Sequence, residues 1–121
     1  MKLEQIVDEL GLTELSPPAA DTADSDVTRG YASDLLSDVL ANAPSDGILV
    51  TLQVHLNVIA VAGHADLAAV VFAGGRRPDA DVVAKAAEEG IALYAAQGDT
   101  FEVVGRLYRI GIRGREARAG A

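Results

Sequence analysis

The side chains able to do chemistry are few, and they gather in turns. The chain carries two histidines and no cysteine, so disulfides, thiolate zinc sites and cysteine nucleophiles are excluded. His55 and His64 stand nine residues apart with no carboxylate pattern beside them, and no metal site is expected. His55 and Asn57 follow an apolar stretch and open a short helix. A histidine there acts as a general base or, in the commoner structural role, caps the helix. Gly74-Gly75-Arg76-Arg77-Pro78 follows the most apolar stretch of the chain and precedes another helix. Glycines let backbone approach an anion, a helix N-terminus offers free N–H groups, and arginine adds a fork of donors. A tight turn with no ligand would favour the same two glycines, so both readings stand. Neither G-x-x-x-x-G-K-[ST] nor G-x-G-x-x-G is present.

Ser33-Asp34 and Ser37-Asp38 repeat at a spacing of four, which puts like residues on one face of a helix. A paired carboxylate site for magnesium is one reading. A solvated acidic face near a helix N-terminus is the better one. Lys85 sits in the middle of an expected helix with no activating neighbour. A hydrolase or transferase using His55 with Asp34 or Asp99 would need those groups within roughly 3 Å or one water of each other. No catalytic residue and no cofactor is assigned, and the chain is not expected to be an enzyme.

Elements that would position these residues are legible as patterns. Leu3, Ile6, Val7 and Leu10 form a helical stripe ended by Gly11. Residues 12–15 read as a short strand and 16–25 as a loop. Ser33 is placed to cap a helix carrying Leu35, Leu36, Val39 and Leu40. Residues 48–53 read as a strand, 55–62 as a buried helix, and 67–73 as a strand buried on both faces. A helix follows over 79–89, with Val82, Val83, Ala86 and Ala87 inward, and then a strand over 91–95. Asp99 and Glu102 have capping-box spacing and open a last helix carrying Val103, Val104, Leu107 and Tyr108. Strand–helix alternation from 48 to 110 predicts an α/β fold, three-layer-like, with a mostly parallel sheet. Ligands of such sheets bind beyond the carboxyl ends of the strands. Four turns are expected to converge there, at residues 28–31, 53–57, 74–77 and 98–100.

Length and composition fit one domain of 121 residues, with residues 1–112 as the domain and 113–121 as a flexible basic tail. Five residues are aromatic, so the core must come from Val, Ile, Leu and Ala. The longest apolar run, 67–73, is too short to span a bilayer. The charged start, Met1-Lys2-Leu3-Glu4, is unlike a signal peptide. No membrane association and a cytoplasmic location are therefore expected. A net charge of −8 argues against nucleic acid as a partner. The charge is uneven: residues 1–75 hold eleven acids against Lys2 and Arg29, whereas five arginines (106, 109, 113, 115 and 118) face one acid after residue 105.

Three segments together resemble the DRTGG domain. They are Val27-Thr28-Arg29-Gly30-Tyr31 running on through Ser33-Asp34 to Val39, then Thr51-Leu52-Gln53-Val54-His55-Leu56-Asn57, then Ala73-Gly74-Gly75. The match spans nearly the whole chain, and the order of the segments makes it specific. Family members read closer to V-T-G-G-Y and T-G-G, so Arg29 and Ala73 depart from the pattern at positions that would shape a backbone pocket. The resemblance implies a fold similar to the N-terminal domain of HPr kinase/phosphorylase. It implies a regulatory module of the kind that accompanies CBS domains or phosphotransacetylases, with no catalytic residues. It further implies a ligand sensor or a dimer interface, and a partner protein of kinase or iron hydrogenase-like type. The expected site takes a nucleotide or another small anion at Thr28, Arg29, Gly30, Gln53, His55, Asn57, Gly74, Gly75 and Arg76. A homodimer is expected through the sheet edge, the helix over 56–62 and the last helix; the alternative is a dimerisation module with no ligand.

Overall fold

The computed structural model describes residues 1–115. In chain order the elements are α1 (Leu3–Leu10), β1 (Thr13–Ser16), α2 (Ala20–Ala23), β2 (Gly30–Ala32), α3 (Leu36–Asn42), β3 (Ile48–Thr51), α4 (Asn57–His64), β4 (Ala69–Phe72), α5 (Ala80–Glu89), β5 (Leu93–Ala95) and α6 (Thr100–Arg109). The five strands form one sheet in the order β1-β5-β4-β3-β2. Strands β2 to β5 run parallel, and β1 closes one edge antiparallel to β5.

Continuous aliphatic strands have to be covered on both faces, and here they are. Ile48, Val50, Val71 and Tyr94 face a core shared with Leu3, Ile6, Val103 and Leu107 of α1 and α6. Leu49, Val70, Phe72 and Leu93 face the other way, onto Val39, Val58, Ile59, Val82 and Ala86 of α3, α4 and α5. The result is a three-layer α/β domain. Its parallel strands follow one another across the sheet in chain order, so all three crossover helices fall on one face, as a constant crossover hand requires. The opposite face is covered by α1 and α6.

Several local expectations are revised. Residues 28–31, expected as a strand-to-helix turn, run into the edge strand β2, with Tyr31 in register with Leu49. The open edge of β3 supplies the backbone partners that so short and polar a segment could not advertise by periodicity. Leu35 and Leu40 are exposed rather than inward, because α3 begins at Leu36 and turns only Val39 fully into the core. The loop over 16–25 holds α2, one turn long and without a buried residue. The inward stripe of α5 narrows to Val82 and Ala86. Arg113, expected in the tail, exchanges backbone hydrogen bonds with β2's approach: its N–H donates to Thr28 and its carbonyl accepts from Gly30. The rest of the expected tail, 116–121, lies outside the described residues.

Candidate site at the carboxyl edge of the sheet

The residues singled out by sequence divide between the two ends of the sheet. Gln53, His55, Asn57, Gly74, Gly75 and Arg76 follow β3 and β4 and lie at the carboxyl edge. Thr28, Arg29 and Gly30 do not join them. They stand at the start of β2, which runs parallel to its neighbours, and so lie at the opposite end. There the Arg29 carbonyl accepts from the N–H of Ile48 at 3.0 Å. What β2 delivers to the carboxyl edge is Asp34. Its Oδ1 accepts from the Leu52 N–H at 2.7 Å and from the Thr51 hydroxyl at 3.2 Å, tying the ends of β2 and β3 together. The Leu52 carbonyl in turn accepts from Arg76 Nη1 at 3.3 Å. The backbone of Leu52, just after β3, is thus held by a carboxylate at its N–H and by a guanidinium at its carbonyl.

The turn after β3 is self-capped. Gln53 Oε1 accepts from the His55 N–H, and His55 Nδ1 accepts from the Asn57 N–H at 3.0 Å. That bond places the proton of neutral His55 on Nε2 and assigns the ring its capping role on α4. Among the described residues no carboxylate lies within 4.0 Å of either histidine. Asp34 is engaged with β3, and Asp99 caps α6 through the Glu102 N–H at 2.9 Å. The His55–Asp pairing that a hydrolase would use is not formed. The Ser-Asp repeat does not share a helix face either, since Ser33 and Asp34 precede α3. Asp38 points back to Tyr31 and Asn42 instead, at 2.9 Å each. Hydrogen bonds from Ser33, Asn42 and Tyr31 hold the Asp38 carboxyl below its usual range. Lys85 pairs with Glu89 at 3.0 Å, and that bond keeps its ammonium above the usual range and protonated. Among the described residues no group of three or more potential metal-ligating side chains comes together.

The glycine turn after β4 is built by left-handed backbone: φ is +69° at both Gly74 and Gly75, a region that side chains disfavour. Its N–H groups are not free. Gly74 donates to Gly98 at 2.7 Å, Gly75 to Ala96 at 2.8 Å and Arg76 to Ala73 at 3.3 Å. An anion at this turn would therefore meet the side chains of Arg76 and Arg77, not a backbone cradle. Both arginines are exposed, and neither has a carboxylate within 4.0 Å among the described residues.

Chain direction adds a feature that residue types alone did not show. After β4 the chain turns to α5 on one face of the sheet, and after β5 it turns to α6 on the other. A crevice opens wherever neighbouring parallel strands send their connections to opposite faces. Here the two connections, 74–77 and 97–99, are themselves joined by backbone hydrogen bonds, from Gly74 to Gly98 at 2.7 Å and from Gly75 to Ala96 at 2.8 Å. Gln97 is exposed beside the glycine turn, its Oε1 3.4 Å from where a Cβ on Gly75 would stand. Gln97 was not among the expected site residues, although it directly precedes Gly98 and Asp99.

No protein-family model matches the chain, and no curated protein matches it. Among solved structures, the chain is similar to the CBS and DRTGG domains of the regulatory region of Clostridium perfringens pyrophosphatase, determined in complex with the activator diadenosine tetraphosphate. The TM-score is 0.67 at 12% sequence identity, over 88% of this chain and 45% of that one. The chain thus spans less than half of that structure's length, and the likeness is one of fold.

Proposed function

We propose that the chain is a non-catalytic regulatory domain of the DRTGG type that senses a small anion, a nucleotide or another phosphorylated metabolite. The site is the carboxyl edge, with Gln53, His55, Asn57, Gly74, Gly75 and Arg76 as expected from sequence, and with Arg77 and Gln97 added. The observation that carries this reading is a pair of exposed arginines, Arg76 and Arg77, with no carboxylate within 4.0 Å among the described residues, at the edge where the connections after β4 and β5 part to opposite faces of the sheet. The fold likeness supports it, since that pyrophosphatase region is regulatory and takes a nucleotide activator. The structural engagement of His55 with the Asn57 N–H, of Asp34 with the end of β3 and of Asp99 with the start of α6 supports binding over catalysis. Thermal unfolding against a panel of nucleotides and phosphorylated metabolites tests the reading. A ligand at a hundred times its dissociation constant stabilises by about 2.7 kcal/mol, and Arg76→Ala abolishes the shift. A panel without any stabilising member overturns it.

A second reading, compatible with the first, is a homodimeric interaction module. It is favoured by α6, which leaves Phe101 88% exposed with Val104 and Tyr108 beside it, an apolar surface of the kind that marks interfaces. Sedimentation at micromolar concentration tests it: a dimer that Phe101→Glu dissociates is expected, and a monomer throughout contradicts it. The signal then passes to a partner protein of kinase or iron hydrogenase-like type.

A further inference from the structure

The arginine-rich end of the chain builds a second site, apart from the carboxyl edge. A groove of about 340 Å³ lies where β2 meets α6 and the segment that follows it, within the size range of small-molecule sites. Its floor is apolar. Leu107 and Ile112 are buried there beside Val50, and Val104 and Tyr108 form the wall. On the β2 side the lining residues are Gly30, Tyr31 and Ala32; Gly30 and Ala32 are too small to fill it, and the Tyr31 hydroxyl is turned to Asp38. Arg113 and Arg115 stand at the rim.

These arginines are held, but among the described residues none forms an ion pair. Arg113 lies over the Tyr108 ring, 3.8 Å from its centroid, and its Nη1 donates to the Tyr108 and Ile112 carbonyls at 2.7 and 3.1 Å. Arg115 Nη1 donates to Asn42 Oδ1 at 2.8 Å. At the groove's end, Arg29 Nη1 donates to the Gly114 carbonyl at 3.0 Å. Every one of these acceptors is neutral. Among the described residues no carboxylate comes within 4.0 Å of any arginine, in a chain whose net charge is −8. Asp38, the nearby acid, accepts from Tyr31 and Asn42, and it feels the Arg115 charge only from beyond 4.0 Å. Each guanidinium has five donors, and these bonds engage only Nη1, so the remaining donors are positioned in advance for an anion.

We infer that the groove binds a small amphiphilic anion, with a flat apolar body on the Val50–Leu107–Ile112 floor and a phosphate or carboxylate head against Arg113 and Arg115. The inference does not rest on the carboxyl-edge reading, because it uses none of its residues. It also gives Thr28-Arg29-Gly30 a place: this segment borders the groove, pairing through its backbone with Arg113 and bonding Gly114 through the Arg29 side chain.

The test is titration of the full chain with 1-naphthyl phosphate, followed by fluorescence and by amide chemical shifts. 1-Naphthoate is a second head group, and inorganic phosphate and 1-naphthol are the separated halves. Both whole anions should perturb Gly30, Ala32 and Gly114, and each half should bind at least tenfold more weakly. Arg115→Gln should weaken binding about tenfold without a change in melting temperature. Arg113→Gln should do the same, and because it also loosens Tyr108, its fold is checked by circular dichroism. Arg76→Ala should leave this binding unchanged, which separates the groove from the carboxyl edge. No binding at millimolar concentration, equal binding of 1-naphthol alone, or binding indifferent to Arg115→Gln overturns the inference.

Discussion

Asp34 shows how a residue of a familiar chemical type takes a structural role. It draws the catalytic eye as a carboxylate that could pair with His55, yet it spends its oxygen on the Leu52 N–H and the Thr51 hydroxyl. Hydrogen bonds to a charged acceptor are worth about 1.5–3 kcal/mol each. Asp34→Ala should therefore lower stability by about 1–3 kcal/mol in denaturant unfolding, with Asp34→Asn recovering part of it. Ser16 is the opposite case: its hydroxyl is buried and has no partner among the described residues. A buried hydroxyl without a hydrogen bond costs roughly 1–3 kcal/mol, so Ser16→Ala should raise the unfolding midpoint; a clear drop would show that an ordered water serves it. At this scale the sequence revealed side-chain types and turn chemistry. His55 reads correctly as a cap because Asn57 and an apolar helix follow it. The role of Asp34 was hidden, because it depends on which strand end lies beside it eighteen residues on.

Elements were legible in proportion to how fully they are buried. β3, β4, α4 and α5 announce themselves by apolar runs and periodicity, since both faces of the sheet need cover. β2 was missed because an edge strand of three residues forms by pairing with β3, which local sequence cannot encode. The four-turn convergence failed at residues 28–31 for the same reason: unnoticed as a strand, the segment was placed at the wrong end of the sheet. Two predictions belong to this scale. Phe72, fully buried in β4, packs against α3–α5, and Phe72→Ala should cost about 3–5 kcal/mol. Tyr94 of β5 is buried against the α1–α6 layer. Burial, with Glu14 adding to it, pushes its hydroxyl from 10.0 up to about 12. Only the neutral phenol is favoured in the fold, so this contribution is complete below the unfolded value and is lost as pH rises through the folded one. Stability should fall between about pH 10 and 12, and Tyr94→Phe should remove that part of the decline.

For the whole molecule, the sequence correctly gave an acidic three-layer α/β domain with a mostly parallel sheet. It also located the carboxyl-edge turns after β3, β4 and β5. Out of its reach was the path of the chain around the sheet. With all crossovers on one face until α6 leaves for the other, neighbouring connections part to opposite faces at the ends of β4 and β5. That asymmetry is why Arg76, Arg77 and Gln97 outweigh the first segment as candidates at this edge. Backbone donors of the glycine turn, taken up by Ala96 and Gly98, make recognition there a matter of side-chain charge. Binding should accordingly weaken with salt, in the manner of exposed guanidinium–anion contacts. The most direct test of anion sensing at this edge is amide chemical-shift mapping of the chain with the best-stabilising nucleotide or phosphorylated metabolite, repeated with Arg76→Ala. Perturbations should centre on residues 52–57, 74–77 and 97–99 and disappear in the variant. Perturbations confined to β2 and α6, or unchanged by Arg76→Ala, would contradict it.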